Sequence, residues 1–130
     1  MRYQLLSSIA MVIFCLASSS YANEMVDSYM ARLSAQDHFN SKGARLKSAA
    51  AIIRQDRANY HKFNLRDPED TYDSVFGEVS NRAALERMLN KGHTTPEAQQ
   101  AILNETPLIR VNIYKYYVDV LVVTDELTKK

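Results

Sequence analysis

Residues 108–123 have the sequence LIRVNIYKYYVDVLVV, and this stretch decides the fold class. The apolar residues of its first half alternate with polar ones: Ile109, Val111 and Ile113. This alternation is typical of a β-strand with one buried face. A second alternation begins at Val118, where Leu121 makes the other face apolar as well. The sequence therefore predicts an antiparallel hairpin whose turn lies at residues 114–117, although that turn lacks the glycine or asparagine that tight turns favour.

Helical patterns precede the hairpin. Apolar residues recur at steps of three and four, and Thr95 followed by Pro96 is a typical helix start. The predicted helices cover residues 25–33, 44–63, 80–90 and 95–104. The expected fold class is therefore α+β, with about four helices followed by a C-terminal antiparallel β-hairpin.

The first 22 residues have the features of a secretory signal peptide. Arg2 supplies the positive charge, an apolar run extends from Leu5 to Leu16, and small residues precede a cleavage point after Ala22. The run is shorter than the roughly 20 residues that span a bilayer, so we expect no stable membrane anchor in the mature chain. The predicted location is the periplasm or the extracellular medium.

Cleavage would leave residues 23–130, enough for one small α+β domain. This part carries 15 basic and 15 acidic residues, and Cys15, the single cysteine, is lost with the signal. Packing without disulfides must therefore hold the domain together. A nucleic-acid partner is not expected, because such domains usually show a basic excess.

The polar face of the longest predicted helix is the candidate binding site. Its residues, together with one from the following loop, are Arg54, Asp56, Arg57, Tyr60, His61 and Arg66. Two arginines near one another can hold a carboxylate or a phosphate, and histidine adds a titratable neighbour. The alternative is an ordinary solvated helix face with internal ion pairs. On the first interpretation, replacing Arg54 and Arg57 with alanine should weaken partner capture without lowering the melting temperature by much.

Two other segments are candidates for function. Residues 67–78 place oxygen ligands at several positions of a calcium-binding loop, but Tyr72 stands where the turn needs glycine and Pro68 follows the first ligand. A solvated acidic loop that caps the next helix is the alternative. The tyrosines of residues 114–117 offer apolar area with a polar group, which suits partner contacts.

No motif identifies an enzyme, a metal site or a cofactor. The predicted mature chain has no cysteine nucleophile, no Gly-x-Ser-x-Gly turn and no closely spaced metal-binding histidines. We also see no resemblance to a known family. The sequence thus favours an exported binding or protein-interaction domain, whose partner is an envelope or extracellular protein or a small anionic ligand. Two alternatives remain: a small hydrolase using His61 with Asp56 or Asp67, and a homodimer paired through the hairpin.

Overall fold

The computed structural model describes residues 23–124, so the predicted signal peptide lies outside the described residues. In this part of the chain, no helix is long and apolar enough to cross a membrane.

The described chain combines four α-helices with a three-stranded antiparallel sheet, which confirms the α+β class. The strands are β1 (Met25–Arg32), β2 (Leu108–Tyr114) and β3 (Val118–Val122). The helices are α1 (Ala49–His61), α2 (Val79–Ala83), α3 (Leu85–Lys91) and α4 (Pro96–Asn104). A 3₁₀ turn covers Ala35–His38.

The predicted first helix is wrong, because residues 25–32 form strand β1. It pairs antiparallel with β2 along its length. The side chains that enter the core alternate along the chain: Tyr29, Ala31 and Leu33. Met25 and Val26, which contributed to the helical spacing, are exposed. The strand forms because a partner far along the sequence pairs with it, so local spacing gave the wrong period.

The predicted C-terminal hairpin is confirmed as β2 and β3, and β1 extends it into the sheet order β1-β2-β3. The backbone N–H of Tyr114 donates to the carbonyl of Tyr117 at 2.9 Å and closes the turn. Within residues 23–124, the only non-glycine residue with positive φ is Asn64. The turn is therefore made without the left-handed residues that the commonest hairpin turns require.

The helices differ from the predictions mainly at their boundaries. Helix α1 begins at Ala49 because the Ser48 side chain accepts the N–H of Ala51 at 3.1 Å. The third predicted helix is divided into α2 and α3 at Ala84. The start of α4 is confirmed, since Thr95 Oγ1 accepts the N–H of Ala98 at 3.1 Å.

One hydrophobic core joins the sheet to the helices. The sheet contributes alternate residues from all three strands, and α1, α3 and α4 each contribute buried aliphatic side chains. The fully buried members include Leu33, Ile52, Ile53, Phe76, Leu85, Ile102, Ile109 and Val111. This arrangement leaves the edge of β3 beside α4 and leaves the hairpin turn at one end of the molecule, near α3.

Candidate functional site

The predicted binding residues on α1 differ sharply in exposure. Arg57 is completely buried, and Asp56 and Tyr60 are buried as well. Arg54 and Arg66 are exposed. The interpretation of this helix face as a solvent-exposed surface is therefore wrong for the three buried residues, which face the core and the loop that follows α1.

Arg57 is the centre of a buried hydrogen-bond network. Its Nε donates to Asp56 Oδ2 at 2.8 Å. Its Nη1 donates to Asp73 Oδ1 at 3.0 Å and to the carbonyl oxygen of Thr71 at 3.2 Å. His61 Nε2 lies 2.7 Å from the same Asp73 oxygen. The network thus fixes the loop of residues 71–73 against α1.

Aromatic rings surround the guanidinium of Arg57. Its Cζ lies 3.9 Å from the centroid of Tyr29 and 4.5 Å from that of Tyr60. Arg66 contacts Tyr60 from the following loop, with Cζ 4.1 Å from the ring centroid and Nε donating to the Tyr60 carbonyl. The structure therefore brings together five of the six predicted residues, whereas Arg54 stays outside this network.

The two carboxylates beside Arg57 have opposite pKa shifts. Burial raises the pKa of Asp56 to about 8, against the lowering effect of Arg57. Burial also opposes ionisation of Asp73, but hydrogen bonds from the Phe76 backbone, His61 and Arg57 outweigh it and lower the pKa of Asp73. The opposite directions indicate that Asp73 balances the charge of Arg57, whereas burial favours the neutral form of Asp56.

The hydrolase alternative depends on the surroundings of His61. His61 and Asp73 form a hydrogen-bonded pair, but an active site also needs a cavity where substrate can reach the histidine. His61 lines none of five well-formed cavities in residues 23–124. Most polar groups of this network bind one another, although Arg57 Nη2 and the Tyr29 hydroxyl are buried without a hydrogen-bond partner among the described residues.

The acidic loop of residues 67–78 uses its side chains for internal hydrogen bonds. Asp70 accepts the backbone N–H groups of Arg32 and Asp67, each at 2.8 Å. Asp73 accepts those of Val75 and Phe76. Among residues 23–124, no group of three or more His, Cys, Asp or Glu side chains is placed to hold a metal ion.

The alternative interpretation of this segment was a solvated acidic loop that caps the next helix; most of its residues are exposed, but the predicted capping is wrong. Glu78 is the cap residue of α2, and its side chain makes no capping hydrogen bond. The loop instead covers the outer edge of β1, where Met30 N–H donates to Thr71 Oγ1 and Thr71 N–H donates back to the Met30 carbonyl.

A groove between α4 and β3 is the largest of the five cavities, at about 640 Å³. Its apolar lining comes from both elements: Ala98, Ala101, Val120, Leu121 and Val122. Glu97 and Asp119 also line it, and neither lysine nor arginine does. Concave, mostly apolar sites with a few polar groups are the usual form of ligand-binding sites. This groove therefore has a better shape for binding than the face of α1.

The connection between α3 and α4 covers the first part of the β3 edge. Val120 N–H donates to the His93 carbonyl at 3.0 Å, and His93 N–H donates to Asp119 Oδ1 at 2.7 Å. A Cβ atom on Gly92 would lie 1.7 Å from the Val118 carbonyl oxygen. Only glycine allows this close approach, so Gly92 lets the connection lie against the start of β3.

Within residues 23–124, the last part of the β3 edge is open beside the groove. Val123 N–H donates to the Leu108 carbonyl at 2.8 Å and so faces β2. Because successive N–H groups of a strand point in opposite directions, the N–H of Val122 faces away from β2. Within residues 23–124, it has no backbone partner. The groove thus combines an apolar floor with an unpaired strand edge.

Sequence reasoning missed both Tyr29 and the groove. Tyr29 lies 28 positions before Arg57 on an element that was assigned to a helix, so no local spacing connects the two. One sequence feature pointed to the groove: Leu121 makes the outer face of the second predicted hairpin strand apolar. That signal indicated contact with another surface but did not identify α4 as the opposite wall.

Comparisons with known proteins identify no relative. The chain matches no protein-family model, no curated protein and no solved structure.

Proposed function

We propose that the protein is a small exported binding domain that captures an extended peptide segment of another protein in the groove between α4 and β3. The observation that carries this proposal is the open edge of β3 at Val122 beside the groove of about 640 Å³. An extended peptide can add a strand to such an edge, with main-chain hydrogen bonds for affinity and alternate side chains in the groove.

The lining of the groove defines the chemistry of the peptide. Ala98, Ala101 and Val120 offer apolar contact, so alternate peptide side chains should be aliphatic or aromatic. Glu97 and Asp119 give the lining an acidic character. A lysine or arginine in the peptide would therefore be attracted to the groove, and an acidic residue would be repelled.

The proposed location rests on the N-terminal sequence. Arg2, the apolar run from Leu5 to Leu16 and Ala22 form the pattern of a cleaved signal. Export to the periplasm or the medium would place the domain among envelope or extracellular proteins, from which its peptide ligand would come.

A random peptide library displayed on phage tests the proposal directly. Selection against the purified protein should enrich peptides with alternating apolar residues and at least one lysine or arginine. A labelled selected peptide should then bind Ala101→Phe at least ten-fold more weakly than the original protein, because the ring fills the groove. Fluorescence anisotropy measures both affinities.

Gln99→Phe is the matched control, since Gln99 is exposed on the same helix and does not line the groove. It should bind the selected peptide with unchanged affinity. No enrichment of peptides, or equal loss of binding in both variants, would contradict the proposal.

A second copy of the chain is the other candidate for the same edge. Leu121 is exposed on β3, and two such edges could pair across a two-fold axis. Gel filtration at two loading concentrations distinguishes the cases: a concentration-dependent dimer supports self-pairing, and a monomer at both concentrations counts against it.

A further inference from the structure

The end of the molecule that carries the hairpin turn has a second cavity, of about 330 Å³. It lies between α3, the start of β1 and the turn that joins β2 to β3. No residue lines both this cavity and the groove beside α4. The two sites are therefore separate, and the inference drawn from this one does not depend on the peptide-binding proposal.

Positive charge is concentrated around this second cavity. Arg87, Lys91 and Lys115 line it, and no aspartate or glutamate does. Arg87 and Lys91 are one helical turn apart on α3, so they project from the same side. None of the three forms an ion pair within residues 23–124. This local excess contrasts with the nearly balanced charge of the whole chain, which is formally +1.

Exposed apolar side chains lie beside these cations. Val26 is 58% exposed and Tyr116 is 54% exposed, and both line the cavity. Met25, adjacent to Val26, is 52% exposed and pairs with Tyr114 in the sheet. Single exposed apolar residues are common on protein surfaces, but Val26 and Tyr116 line one cavity beside cations that form no ion pair within residues 23–124, which points to an interaction surface.

We propose that this tip surface, formed by Met25, Val26, Arg87, Lys91, Lys115 and Tyr116, docks on an anionic lipid membrane. The cations would meet lipid phosphates, with each basic side chain near an anionic membrane raising partitioning roughly five-fold. Tyrosine is favoured at the boundary between headgroups and acyl chains. The exposed aliphatic side chains would enter the same boundary region.

The tip surface suits a lipid surface better than an acidic peptide. The backbone N–H of Tyr114 donates to the Tyr117 carbonyl within the turn. The turn therefore offers no unpaired strand edge of the kind found at Val122. Asn81, the amide side chain in the lining, already donates to the Val75 carbonyl at 2.8 Å. Charge and apolar area without a fixed set of hydrogen-bonding groups match a fluid anionic surface.

Vesicle co-sedimentation tests the proposal with the complete purified protein. Vesicles of phosphatidylglycerol and phosphatidylethanolamine should bind it, and vesicles of phosphatidylcholine should bind it at least ten-fold more weakly. The triple variant Arg87→Gln, Lys91→Gln, Lys115→Gln should lose about a hundred-fold in partitioning to the anionic vesicles. Tyr116→Ser keeps all charges and should also weaken binding to the anionic vesicles, because it removes the aromatic ring.

A second triple variant serves as the control: Lys42→Gln, Lys47→Gln and Arg54→Gln. These residues are exposed elsewhere on the surface, so the variant loses the same charge and should bind anionic vesicles nearly as well as the original protein. Equal binding to phosphatidylcholine, or equal loss in both triple variants, would overturn the proposal. Binding of soluble polyglutamate through the tip surface, without binding to anionic vesicles, would identify an acidic protein partner and would overturn it as well.

Discussion

Arg57 keeps a positive charge in the protein interior, between the rings of Tyr29 and Tyr60. Asp73 provides the balancing negative charge, and the Thr71 carbonyl accepts a further hydrogen bond. Removing one partner of a buried ion pair leaves an uncompensated charge and costs about 3–5 kcal/mol. We therefore expect the Arg57 side chain to contribute strongly to the free energy of unfolding.

We expect Arg57→Ala to lower the melting temperature by more than about 10 °C, given roughly 4–8 °C per kcal/mol for a domain of this size. Arg54→Ala on the same helix should stay within about 0.5 kcal/mol of the original stability, because Arg54 is exposed. Thermal unfolding followed by circular dichroism measures both. The sequence predicted that both arginines could be removed with little loss of stability. The burial of Arg57 makes a large loss the new expectation for that residue. Equal melting temperatures for the two variants would show that the network contributes nothing.

The pKa of Asp56, raised by burial to about 8, makes stability depend on pH. An unfolded aspartate titrates near pH 4, so between about pH 4 and pH 8 folding makes Asp56 take up a proton. Stability should therefore decrease as the pH rises through this window. Burial also raises the pKa of Asp37 and of Asp70, and both add to the same trend.

Comparison of Asp56→Asn with Asp73→Asn tests this assignment. At pH 6, Asp56→Asn should cost little, since it replaces a neutral acid with a neutral amide, and it should reduce the loss of stability between pH 5 and pH 9. The lowered pKa of Asp73 means that its contribution is present above about pH 4 and is lost as the pH falls further. Asp73→Asn should therefore cost about 3–5 kcal/mol at pH 6. Urea unfolding across the pH range would contradict the assignment if the two costs were reversed.

Among the elements, those with strong local signals could be predicted from the sequence. The alternation of Ile109, Val111 and Ile113 predicted β2, and the Thr95-Pro96 start predicted α4. β1 could not be predicted in this way, because Met25, Val26 and Met30 imitate a helical period while its pairing depends on distant β2. The break at Ala84 between α2 and α3 could not be predicted either, because no glycine or proline marks it in the sequence.

The candidate site was predictable only in part, for the same reason. The polar residues of α1 form a cluster that local sequence reveals, but their burial depends on Tyr29 and Asp73, which other elements supply. The groove beside β3 needs α4 as its second wall, and no local period shows which helix covers which strand.

Strand β3 offers a direct test of its open edge. Val122→Pro removes an N–H that faces away from β2, and proline is tolerated on such an edge. We expect the fold to be retained with a cost below about 1 kcal/mol. Leu121→Pro removes an N–H that pairs with β2 and should therefore cost clearly more stability than Val122→Pro. Chemical unfolding measures both costs, and a larger cost for Val122→Pro would show that this N–H is already paired.

At the scale of the whole molecule, the sheet joins the two ends of the described chain. β1 pairs with β2 across at least 76 positions, from Arg32 to Leu108, and the helices lie between them in sequence. The core needs alternate residues from all three strands. The helices alone therefore lack one side of the core.

A chain shortened to end at Glu105 should consequently remain unfolded, because it lacks β2 and β3. A chain that ends at Thr124 keeps every described element and should unfold cooperatively. Circular dichroism at several temperatures measures both. A cooperative transition in the shorter chain would mean that the helices form a core without the sheet.

The pairing of β1 with β2 also has a consequence for the timing of folding. During synthesis, the first strand leaves the ribosome long before its partner has been made, and contacts between distant segments form slowly. The growing chain therefore stays open until the last part of its sequence has emerged. On the proposed export, a secretion channel that threads extended polypeptides would receive the chain before the domain has formed, and the domain would fold after passage.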